Sequence, residues 1–133
     1  MAAPNIVNVT TITGVTSAFS GIAATTGIKG AVGITTVASN PAGSGKVLKI
    51  NTLVAAAIGS TTGVTVQHYD DVDHTGAATT VSIAMTASVP TYSSLVLISK
   101  DNSVYLQENT SLGAFSQADE GTIDIICSYE EIS

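Results

Sequence analysis

The sequence contains no arginine and no tryptophan, a single cysteine, and little charge: charged residues make up 11% of its 133 positions. Each shortage excludes something. The only cations are Lys29, Lys46, Lys49 and Lys100, and the net charge is −6. Nucleic-acid binding draws much of its affinity from Lys and Arg neutralising phosphates, and adsorption to anionic bilayers needs the same residues. Neither nucleic acid nor membrane is therefore an expected partner. A lone Cys127 leaves no disulfide within the chain and fits folding in a reducing cytosol. The longest apolar run, residues 53–58, is too short to span a bilayer. Residues 1–5 lack the basic and apolar regions of a secretory signal. Synthesis in a cytoplasm is the expectation.

Low charge here does not mean disorder, which requires low hydrophobicity as well; 44% of the residues are hydrophobic. The missing charge is replaced by Thr, Ser, Ala and Gly, and a polar but uncharged surface is cheaper to bury against a partner than a charged one. Length and composition fit one domain over residues 1–133.

β-branched residues dominate, punctuated at short intervals by turn residues, which is the pattern of an all-β chain of short strands. A first strand is expected over 5–13, a less periodic one within 15–26, and irregular or edge-like structure over 27–38. Residues 40–45 read as a flexible loop. In 46–57, two-residue alternation places Leu48, Ile50, Val54 and Ala56 on one face. Val64, Val66 and His68 share a face in the next strand, then Val81, Ile83 and Met85 after a polar loop at 70–78. Residues 95–98 are continuously apolar, as for a strand covered on both sides. A tight turn at Asp101-Asn102 precedes 104–107, and 121–129 sets Ile123, Ile125, Cys127 and Tyr129 on one face. Residues 130–133 read as a solvated acidic tail, with anchoring through Ile132 as the alternative. About eight short strands without an amphipathic helix predict a two-sheet sandwich or jelly-roll-like fold.

Catalytic chemistry is scarce. Gly45-Lys46 ends a stretch like a phosphate-binding loop, but Asn40 stands at the first glycine position and Val47 where Ser or Thr would hold magnesium. His68, Asp70, Asp71, Asp73 and His74 could in principle gather a cation. Their spacing matches neither an EF-hand nor a zinc site, and Asp in such a stretch favours turns by bonding nearby backbone. Neither histidine accompanies a nucleophile elbow. Cys127 reads as a small buried hydrophobe. Tyr69, Tyr92 and Tyr105 could form a binding patch. No catalytic, cofactor-binding or metal site is expected, and the chain does not read as an enzyme.

Four blocks carry a resemblance: Met1-Ala2-Ala3-Pro4-Asn5-Ile6-Val7-Asn8-Val9; Gly45-Lys46-Val47-Leu48-Lys49-Ile50-Asn51; Ser94-Leu95-Val96-Leu97-Ile98-Ser99-Lys100-Asp101; and Cys127-Ser128-Tyr129-Glu130-Glu131-Ile132-Ser133. They resemble small virion proteins of T4-like phages of marine cyanobacteria, and the match is weakest over 14–38 and 109–120. The resemblance implies a structural protein of the virion, and a capsid decoration or cement protein on the outer head fits the size, acidity and β-rich body. It would bind the major capsid protein at capsomer junctions and self-associate, with a symmetric trimer suited to threefold positions. A tail, neck or fibre-associated protein used in host recognition is the alternative. Ile6, Val7, Ile28, Val32, Tyr129 and Ile132 are the expected protein contacts.

Overall fold

The architecture was obtained as a computed structural model, which describes residues 8–22, 34–60, 62–77, 79–117 and 122–133. Among these the chain forms β1 (Ile12–Ile22), β2 (Thr35–Asn40), β3 (Val47–Ile58), β4 (Thr62–Tyr69), β5 (Thr80–Val89), β6 (Ser94–Ile98), β7 (Val104–Leu106), β8 (Thr110–Ser116) and β9 (Thr122–Ile132), with a 3-10 turn at Lys100–Asn102. Sheet A has the order β1-β9-β3-β6, with β7 also paired to β3; sheet B has the order β2-β8-β4-β5. All strand pairs are antiparallel. Only β4–β5 and β6–β7 are consecutive strands of one sheet, and every other connection passes between sheets. The expected two-sheet, all-β sandwich is present, and this interleaving gives it jelly-roll form.

One core cluster draws on both sheets: Leu48, Ile50, Leu53, Ala55, Ile123, Ile125 and Cys127 from sheet A meet Val37, Val64, Val66, Leu112 and Ala114 from sheet B. The expected face of β9 is realised from Ile123 to Cys127, all buried, with Tyr129 half-buried beyond them.

Several sequence expectations are corrected. Residues 5–7 of the strand placed at 5–13 lie outside the described residues, and in the remainder β1 begins only at Ile12; Thr10 and Thr11 instead donate their N–H groups to the carbonyl of Ser133. In β3 the register shifts between Ile50 and Thr52. This bulge reverses the alternation, so Leu53, Ala55 and Ala57 follow Leu48 and Ile50 inward, and Val54 and Ala56 lie on the outer face. Two further shifts break β5: Ile83 packs on the core while Val81 and Met85 are exposed. β6 is an edge strand, exposed at Val96 and buried only at Ile98. β8 is unanticipated by sequence, because both its faces are covered and alternation is therefore absent.

The acidic segment is no free tail. β9 runs through Glu130 and Glu131 to Ile132, held between β1 and β3. Lys46 Nζ lies 2.7 Å from Glu131 Oε2. Nor is the 40–45 segment loose. Buried Asn40 donates from Nδ2 to the carbonyls of Lys46 and Leu106 and accepts the Ser44 hydroxyl at 2.6 Å. Gly43 and Gly45, at φ +74° and +69°, turn their N–H groups onto the carboxylate of Glu108. The glycine-rich turn that looks like a phosphate cradle thus holds a carboxylate of its own chain.

Candidate interaction surface

Residues opposite one another in an antiparallel ladder share a face, so register alone maps the outer surface of sheet A. Ala18, Ile126, Val54 and Val96 stand in one row across β1, β9, β3 and β6. On one side lies a row of hydroxyls, Thr16, Ser128 and Thr52, with Thr16 and Ser128 joined at 3.0 Å. On the other lie Asp124, Ala56 and Ser94. Beyond the hydroxyls, Gly14, Glu130, Lys49 and Tyr105 form a charged border. Ile126 and Val96 are 50% and 58% exposed. The result is an apolar row flanked by hydroxyls on one side and by Asp124, Ala56 and Ser94 on the other, where the Asp124 carboxylate accepts the Gly21 N–H at 2.8 Å.

The outer surface of sheet B is different. Thr65, Gln67 and Tyr69 on β4 oppose Phe115, Gly113 and Ser111 on β8, and all are buried. Tyr69, Phe115, Ile34 and Ala77 make a second small core. The Tyr69 ring lies over Gly113 so closely that a Cβ there would stand 2.7 Å from Cε2. The Tyr69 hydroxyl donates to Gln67 Oε1, and Gln67 Nε2 donates to Ser82. Burial pushes the Tyr69 phenol up to about 12.

The loop between β4 and β5 spends its carboxylates on its own backbone. Asp73 Oδ1 accepts from the Thr75 hydroxyl, the Thr75 N–H and the Gly76 N–H. The Thr75 hydroxyl, then the two N–H groups, hold its carboxyl below the ordinary value. Asp71 accepts from the Val72 N–H and Asp70 from the Thr79 N–H. No group of three or more His, Cys, Asp or Glu able to hold a metal ion occurs among the described residues.

Of the expected contacts, Ile6, Val7, Ile28 and Val32 lie outside the described residues. Tyr129 packs half-buried against the core opposite Ile50, and Ile132 is buried opposite Val47. The tyrosine patch does not form: Tyr69 is fully buried, whereas Tyr92 and Tyr105 are exposed. Cys127 faces inward opposite Leu53 and Ser17, and burial raises its thiol to about 11. The exposed row on sheet A escaped sequence reasoning because it depends on the β3 bulge, which carries no strong local signal.

No protein-family model matches the chain, and no curated protein does. A solved structure of the Bacillus endospore appendages, described as forming a family of disulfide-linked pili, is similar in fold. It shares 15% identity and a TM-score of 0.50 over 92% of this chain and 88% of that one.

Proposed function

We propose that this chain is a non-enzymatic structural subunit that packs into a larger protein assembly. The observation that carries the reading is the outer face of sheet A, whose row from Ala18 to Val96 is apolar, bordered on one side by hydroxyls and left open, on a molecule that covers the corresponding face of sheet B with its own side chains. An apolar row of this kind can be desolvated against a partner at low cost, and the one carboxylate beside it, Asp124, already accepts the Gly21 N–H of its own chain.

The finer reading is a bacteriophage virion protein on the outer head, decorating the major capsid protein and strengthening capsomer junctions; the four sequence blocks that resemble cyanophage virion proteins support it. A modest interface repeated over a shell stabilises it by addition. The alternative is a filamentous or tail-associated component, favoured by the fold likeness to the pili of Bacillus endospore appendages. Disulfide linkage does not transfer simply, since Cys127 is buried mid-strand.

Immunogold labelling of purified phage particles with antibody to this chain tests the choice. Label spread over the head is the expected result. Label confined to the tail or neck replaces the head reading with the alternative, and particles containing none of this chain by mass spectrometry refute a virion role.

A further inference from the structure

We propose that the edge of β1 that no other described strand covers pairs antiparallel with β1 of a second copy, joining two A sheets into one. This deepens the reading of a packing subunit by naming an edge and its occupant.

The edges of the two sheets are unequal. β1 pairs with β9 through eight successive residues, Ile12 to Phe19, in unbroken register, and bulges only before Ile22. At the opposite edge of sheet A, β6 has five residues and β7 three, and the β3–β6 register is interrupted. In sheet B, β2 has six residues and a bulge between Thr36 and Ala38. β5 is interrupted twice, with Thr86 at φ +50° sending its N–H to the Thr65 hydroxyl. Short length and bulges are the means by which sheets blunt an edge. β1 alone has neither over its first eight residues.

Every second residue of an antiparallel edge strand turns its N–H and C=O away from its one partner. Those groups are obligatory donors and acceptors that an added strand can satisfy. Self-pairing suits this edge on charge. The chain carries −6 overall, yet Ile12–Ile22 holds no charged residue, so two copies meeting here set no like charges opposite in the new ladder. An antiparallel strand pair is also self-complementary about a two-fold axis, the commonest symmetry of protein pairs. The joined sheet would place two apolar rows, each from Ala18 to Val96, on one continuous outer surface.

The test is independent of any particle: light scattering on size-exclusion chromatography over a concentration series, with hydrogen exchange at the amides of residues 12–19. The wild-type chain is expected to dimerise, with these amides exchanging more slowly as concentration rises. Thr16→Lys/Ala18→Lys, which sets lysines on this edge, should give a folded monomer by circular dichroism. Val81→Lys/Met85→Lys on β5 should dimerise like wild type. A wild type that stays monomeric at its solubility limit overturns the proposal. So does a dimer whose β1 amides ignore concentration, a measurement that stands even if the β1 variant fails to fold. Either result leaves the particle labelling, and the structural-subunit reading, to be decided on their own.

Discussion

The outer faces of the two sheets solve the same problem in opposite ways. Each sheet of a sandwich buries one face against the other and must do something with the second. Sheet B closes its second face with its own chain, through Tyr69, Phe115, Ile34 and Ala77 over a floor of Gly113 and Ser111. Sheet A leaves its second face in the open, with Ile126 and Val96 half or more exposed. The closed face is committed to stability, and the open one is free for contact. Substitutions on the two should therefore separate folding from assembly.

The largest effect is expected from Tyr69→Ala. It empties the centre of the closed face and strands Gln67, and should cost about 3–5 kcal/mol, read as a lowered urea midpoint at unchanged slope. Gly113→Ala comes next. Its new Cβ would meet Tyr69 Cε2 at 2.7 Å and Ile34 Cγ2 at 2.9 Å, an overpacking cost of about 1–3 kcal/mol. Tyr69→Phe keeps the ring but leaves Gln67 Oε1 without its donor, about 1–3 kcal/mol.

Alkali supplies a smaller and conditional effect. Cys127 rises from 9.0 to about 11 and Tyr69 from 10.0 to about 12 on burial. Both are neutral when protonated. The unfolded chain therefore loses these protons at lower pH than the folded one, and stability falls as pH rises. The thiol's share is intact below 9 and lost through about 11; the phenol's is intact below 10 and lost through about 12. Thermal melts between pH 8 and 12 should show a decline from which Cys127→Ala removes the earlier part and Tyr69→Phe the later. Least of all, Ile126→Thr and Val96→Thr on the open face should each shift stability by under about 0.5 kcal/mol while weakening attachment to the assembly. If either unfolds the chain, the open face is not a free surface.

Fold class was readable because β-branched alternation and frequent turns are local signals. The inner face of β9, Ile123 to Cys127, was readable for the same reason. What escaped was set by distant parts of the chain. Nothing near Asn51 announces that β3 shifts register against β9 there, yet that shift decides that Val54 faces outward. β8 has no alternation to detect, since Tyr69 and Ile34 roof one side and the core the other. Glu130 and Glu131 looked like tail residues because neighbouring strands, not local pattern, hold them in a ladder. The open face is a product of that same long-range register, and was invisible for that reason.

The position of β9 has a consequence in time. It is the last of the nine described strands along the chain, yet it lies between the first and the third. As the ribosome releases the polypeptide from its N-terminal side, β1 and β3 emerge without the strand that joins them. Sheet A cannot close until β9 is out, and such late, long-range pairing makes folding slow. Until then β1 and β3 each present an extra unpaired edge, the condition under which nascent chains stick to one another. Rapid synthesis at high local concentration is the circumstance in which this chain would most need a chaperone.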